Sequence, residues 1–102
     1  MMRGRRRRGR YGRMPHPVYI NHTSTIKAFN PEPEAHGEPI QIEPAELEAI
    51  RLTDLENLNQ EQAGERMGVS RGTIWRLLQS GRAKIALALI EGRKIEIREP
   101  PE

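Results

Sequence analysis

The sequence predicts a mainly α fold: a three- to four-helix helix-turn-helix domain with short flanking β-strands and a disordered basic N-terminal arm. Three observations predict it. The stretch 60–79, QEQAGERMGVSRGTIWRLLQ, has the spacing of two helices joined by a tight turn. Two short alternating segments, at Ile40-Gln41-Ile42 and Lys94-Ile95-Glu96-Ile97-Arg98, flank the helical part and read as half-buried strands. Residues 1–13, MMRGRRRRGRYGR, hold seven arginines and no acid, so no core can form there. The chain therefore divides into an arginine-rich arm (1–13), an irregular Pro-containing linker (14–38) and a domain (39–99).

The arm is expected to be disordered in the free protein because its like charges repel. Arg5, Arg6, Arg7 and Arg8 are its candidate nucleic-acid contacts. Such an arm can lie in a minor groove or along phosphates, releasing counterions, or it can serve as a solubilising tail. The linker carries Pro15, Pro17, Pro31 and Pro33, with Val18-Tyr19-Ile20 as a candidate short strand. His16, His22 and His36 are six and fourteen residues apart and no regular element converges them, so no metal site is expected.

A first helix is expected over about Pro44–Glu56, with proline at a favourable first position and Glu46 near the positive helix start. Leu47, Ile50, Leu55 and the following Leu58 supply a loose apolar face, and Glu48, Arg51 and Asp54 face water. Asn59 caps the next helix, with Gln62 completing a capping-box pair. Ala63 and Met67 share a face of that helix. Gly68 can take the left-handed conformation that ends it, Val69 plugs the turn, and Ser70 caps the third helix. Ile74, Leu77 and Leu78 form the buried stripe of the third helix. That helix continues to a stop at Gly92, with Arg82, Lys84 and Arg93 on its outside. Gly81 within it marks either a close helix approach or a kink. The two alternating segments are read as a small sheet joining the ends of the helical unit, within one chain or completed by a second protomer.

The residues left facing out at the third helix point to chemistry. Ser70, Arg71, Thr73, Arg76 and Gln79 carry side chains that read base edges or grip phosphate, so double-stranded DNA is the expected partner. Trp75 is expected to pack on a neighbouring helix or a dimer partner rather than to wedge against sugar or a thymine methyl. Charge segregates along the chain. Residues 32–65 hold ten acids and one base, whereas residues 66–94 hold seven bases and one acid. The net charge of +3 comes from the arm, because residues 14–102 alone carry −4. A basic face on the reading helix suits a polyanion; an acidic body does not.

Composition narrows the rest. With 35% hydrophobic residues the core is small, which makes a homodimer an expectation. The absence of cysteine excludes disulfides and thiolate metal sites and fits a cytoplasmic, nucleoid-associated protein. No run is apolar enough to span a membrane, and no signal peptide is read. No nucleophile constellation, phosphate-cradling glycine loop or paired-histidine motif is present. No enzymatic activity, cofactor or small-molecule substrate is expected.

The run 44–92, PAELEAIRLTDLENLNQEQAGERMGVSRGTIWRLLQSGRAKIALALIEG, resembles a family of small prokaryotic proteins catalogued as domain of unknown function 134 and described only as predicted DNA-binding. The matching segments are EAIRLTDLE (48–56), QEQAGERMGVSRGT (60–73) and RAKIALALIEGRKI (82–95). The same helices are similar to region 4 of bacterial sigma factors, which binds promoter DNA through its last helices. The resemblance implies a helical DNA-binding unit whose recognition helix begins at Ser70, with Ser70, Arg71, Thr73 and Arg76 meeting DNA and Gln79 one turn further on. Members often carry cysteine in the basic N-terminal segment; this chain has none, so any role of those cysteines does not transfer. Gly64 stands where alanine is more usual, and Gly72 weakens the first turn of the recognition helix. A transcriptional regulator reading the major groove is the resulting expectation. An RNA-associated protein using the arginine arm and a protein-interaction module contacting the transcription machinery through its acidic helix remain alternatives.

Overall fold

The computed structural model describes residues 18–22 and 25–99. The arm with Arg5, Arg6, Arg7 and Arg8, and its expected disorder, lie outside the described residues. Among those described, strands β1 (Ala28–Phe29) and β2 (Ile40–Ile42) precede helices α1 (Pro44–Ile50), α2 (Gln60–Met67) and α3 (Arg71–Glu91), and strand β3 (Ile95–Ile97) follows. The fold is mainly helical with a small sheet, as the sequence predicts.

Local chemistry sets most of these boundaries. Glu43 and Glu46 form a reciprocal capping box around Pro44 at the start of α1. Asn59 and Gln62 do the same for α2, with bonds of 2.8 and 3.0 Å. Truncating the cap, Asn59→Ala, is expected to lower stability by about 1 kcal/mol, read as a shifted denaturant midpoint at unchanged m-value. An unshifted midpoint would mean that solvent serves the orphan N–H groups equally well.

The first helix departs from expectation. It is not regular to Glu56: a π-helical turn, Arg51–Leu55, follows Ile50, and the Glu56 N–H reaches back to the Arg51 carbonyl at 3.0 Å. The Thr53 hydroxyl donates to the Ala49 carbonyl at 2.9 Å beside it. The wider turn changes which side chains face inward. Leu52 is fully buried, whereas Leu55, expected on the apolar face, is 75% exposed. Glu48, expected to face water, is buried. It accepts hydrogen bonds from the Asn21 N–H at 2.9 Å and from Arg51 at 2.9 and 3.0 Å.

The core combines Ala49 and Leu52 with Ala63 and Met67 of α2 and Ile74 and Leu78 of α3. Helix α3 runs unbroken through Gly81, which settles the choice between approach and kink. A Cβ there would lie 2.8 Å from Ile50 Cδ1 and 3.3 Å from Glu46 Cβ, so the residue permits α3 to close on α1. Arg82 is exposed on the outside of α3, as expected, whereas Lys84, expected there too, is half-buried, and both clamp the helix to neighbours. Arg82 pairs with Asp54 at 2.7 Å and Lys84 with Glu46 at 2.8 Å.

The flanking segments do pair within one chain. Strand β3 lies between the other two, parallel to β2 (Ile40 opposite Ile95, Ile42 opposite Ile97) and antiparallel to β1 (Phe29 opposite Ile95). The parallel pairing follows because the whole helical unit forms the crossover between β2 and β3. The third strand comes from residues 28–29 of the same chain. Val18–Ile20, a candidate strand, is not one. The Tyr19 N–H donates instead to the Met67 carbonyl at 2.8 Å, satisfying an orphan carbonyl at the end of α2.

Candidate nucleic-acid interface

The connection between α2 and α3 is three residues long, and each has a distinct task. Gly68 ends α2 in the left-handed region at φ 71°. The Val69 N–H donates to the Gly64 carbonyl at 2.9 Å, and the Val69 side chain packs against the core. Ser70 then caps α3, its Oγ accepting the Thr73 N–H at 3.1 Å. These contacts fix the angle at which the start of α3 is presented.

The outer side of that start carries the residues expected from the sequence. Ser70, Arg71, Arg76 and Gln79 are exposed, and Thr73 is half-buried, while Ile74 and Leu78 hold the inner side. Three of the five are linked. Ser70 Oγ lies 3.0 Å from Thr73 Oγ1, which accepts from Arg76 Nη2 at 3.2 Å. The Arg76 guanidinium is thereby drawn along the helix toward its N-terminus, where the backbone N–H groups also favour an anion. Arg71 and Gln79 share the face without joining this chain of bonds. Trp75, expected to pack, is 52% exposed on the same stretch.

Ion pairing separates this end from the rest of the surface. Seven of the described cations bond to carboxylates: Lys27, Arg51, Arg82, Lys84, Arg93, Lys94 and Arg98. Among the described residues, the three without a carboxylate partner are Arg66, Arg71 and Arg76, at the end of α2 and the start of α3. The acids of the α1 region are neutralised inside the fold, with Glu43 on Arg98, Glu46 on Lys84, Glu48 and Glu56 on Arg51, and Asp54 on Arg82. The unpaired cations thus lie at one place along the fold, where Glu61 and Glu65 of α2 are, among the described residues, likewise without an ion-pair partner. Sequence reading named Arg71 and Arg76 but missed Arg66. Helical spacing could not have found it: none of the three has an acid three or four residues away on its helix, but neither do the paired Arg82 and Lys84.

Two buried carboxylates hold the helices that carry this end. Glu46 accepts from the Glu43 N–H at 2.9 Å, from Lys84 at 2.8 Å and from the Ser80 hydroxyl. Burial pushes its carboxyl up, but the Lys84 and Ser80 hydrogen bonds outweigh burial and hold it below the ordinary 4.5. Glu48 is likewise pushed up by burial and pulled further down by Arg51 and the Asn21 N–H. Both folded values lie below the unfolded one, so both groups contribute stability above the unfolded value and lose it as pH falls through the folded one. Stability is expected to stay level between about pH 7 and 5 and to fall below about pH 4.5. Denaturant midpoints across that range check this, and the Glu46→Gln, Glu48→Gln double variant should flatten the fall.

Among the described residues no group of three or more His, Asp or Glu side chains is placed to hold a metal ion, and no helix is long and apolar enough to cross a membrane. A family model described as "Protein of unknown function DUF134" matches residues 1–100. The chain belongs to the DUF134 family. Curated relatives agree. A UPF0251 protein of Archaeoglobus fulgidus is 41% identical over 91 residues, covering 89% of this chain and 87% of the relative. A UPF0251 protein of Thermococcus kodakarensis is 54% identical over 69 residues, covering 68% of this chain and 57% of the relative. One of Methanosarcina acetivorans is 42% identical over 89 residues, covering 85% and 80%. The chain thus spans most of some relatives and little more than half of others. No solved structure matches it.

Proposed function

We propose that this DUF134 chain binds double-stranded DNA as a helix-turn-helix protein and regulates transcription, with the N-terminal half of α3 in the major groove. The observation that carries the reading is that the described cations without a carboxylate partner, Arg66, Arg71 and Arg76, all belong to the end of α2 and the start of the capped helix α3. Cations left without a carboxylate on both sides of one helix–helix connection suit a polyanion. Arg71 and Arg76 contact guanine edges or phosphates, Thr73 and Gln79 add base or phosphate bonds, and Ser70 with the first N–H groups of α3 meets a phosphate. Trp75 lies against sugar or a thymine methyl. The likeness of residues 44–92 to sigma factor region 4 belongs to the same reading, as does work in the cytoplasm on the nucleoid. The arginine arm, with Arg5, Arg6, Arg7 and Arg8, adds salt-dependent affinity.

The test is a selection from a random duplex pool with the full chain at about 150 mM salt, where non-specific binding is weak. One enriched motif is expected. On that motif Arg76→Ala should weaken binding by about 1–3 kcal/mol and relax one base position. Trp75 is the only tryptophan, so its fluorescence should change on binding. An unenriched pool, or full affinity and preference in the Arg71→Ala, Arg76→Ala variant, would sink the reading. Single-stranded RNA competing as well as any duplex would favour the alternative built on the arginine run of residues 1–13. The protein-interaction reading rested on an acidic first helix, and its support weakens because those acids are paired internally.

A further inference from the structure

Helix α3 changes character along its outer side. Its first half presents Arg76 and Gln79; its second half presents Ala83, Ala86, Leu87 and Ile90, spaced i, i+3, i+4 and i+7 and opposite to buried Gly81 and Ala88. All four are exposed, Ile90 at 84%. Leu89, 75% exposed, extends the surface toward Phe29. No charged residue interrupts the four-residue stripe.

We infer that this stripe is the contact surface for a second copy of the same chain, paired about a two-fold axis through the C-terminal halves of two α3 helices. Three observations select that occupant. The exposed parts of these side chains offer roughly 500 Å² of apolar surface, at the upper end of what monomers leave uncovered. That is most of the roughly 600–1,000 Å² that one partner of a specific dimer buries. The stripe carries no charge, so it does not repel its own image, as an isologous contact requires. Residues 1–13 are a poor alternative occupant, because they hold seven arginines and would bring unpaired charge onto an uncharged face. Ala83 and Ala86 are small enough for two helices to approach closely, with Leu87 and Ile90 filling the flanks.

The test is the solution mass of the full chain without DNA, by sedimentation or light scattering at about 100 μM, above the micromolar dissociation constant that a modest interface supports. Twice the 11.7 kDa chain mass is expected. Ile90→Glu should give the single-chain mass with an unchanged helical circular dichroism spectrum and cooperative unfolding, since the residue is exposed in the monomer; its melting temperature falls because dimer formation no longer stabilises the folded chain. Ala86→Glu serves as the second variant. A single-chain mass for the unaltered protein, or a doubled mass retained in both variants, would overturn the inference.

Discussion

Gly64→Ala lowers stability by about 2 kcal/mol, which for a domain of this size is a fall of roughly 8–16 °C in melting temperature. The added Cβ would sit 2.6 Å from the Val69 carbonyl oxygen, with the backbone of Ser70 and Arg71 at 3.5 and 3.6 Å. Backbone atoms have no rotamer into which to retreat. The three-residue connection must shift, and with it the Val69 N–H bond to the Gly64 carbonyl and the position of the Ser70 cap. Alanine's better helix propensity, worth about 1 kcal/mol, offsets only part of this. Gly72→Ala is the internal control, since the nearest atom to its Cβ would be 3.9 Å away. That variant should melt at or slightly above the parent temperature. Thermal unfolding followed by circular dichroism separates the two. If Gly64→Ala melts with the parent, α2 and the connection are not in the contact described.

Leu52→Ala is expected to cost about 3 kcal/mol, and Leu55→Ala under about 0.5. The two leucines are three residues apart, and a regular helix would place them on neighbouring positions of one face. In the structure the π-helical turn separates their fates. Leu52 is completely buried among Ala49, Ala63, Met67, Ile74 and Leu78, so truncation leaves a cavity shared by three helices. Leu55 loses contact mainly with water. Denaturant unfolding of both variants decides the matter, and equal losses would mean that the helix is regular through Glu56 after all.

What was legible in the sequence is what local interactions decide. The Asn59–Gln62 box, the left-handed Gly68 and the Ser70 cap act within three or four residues, so the connection and the start of α3 could be read to the residue. The outward placement of Ser70, Arg71, Arg76 and Gln79 followed from the same periodicity that buries Ile74 and Leu78. The misreadings have partners far along the chain. Glu48 is buried because Asn21, 27 residues away, supplies an N–H. Lys84 is drawn inward by Glu46 across 38 residues. Strand β1, two residues long, carries no alternation to detect. The division between paired and unpaired arginines, on which the candidate interface rests, belongs to this second class. Charge density along the chain hinted at it, but only the tertiary contacts show which positive charges are already spent.

The strand that unites the sheet is the last regular element among the described residues. Because β3 lies between β1 and β2, those two segments have no sheet neighbour until residues 95–97 arrive. A growing chain can assemble α1, α2 and α3 from near-neighbour contacts well before that moment. The sheet therefore acts as a late latch, and a nascent or prematurely terminated chain that stops before Ile95 leaves two short strand segments with backbone groups still facing water. Completion of the sheet ties the far end of α3 back to the segment that leads into α1.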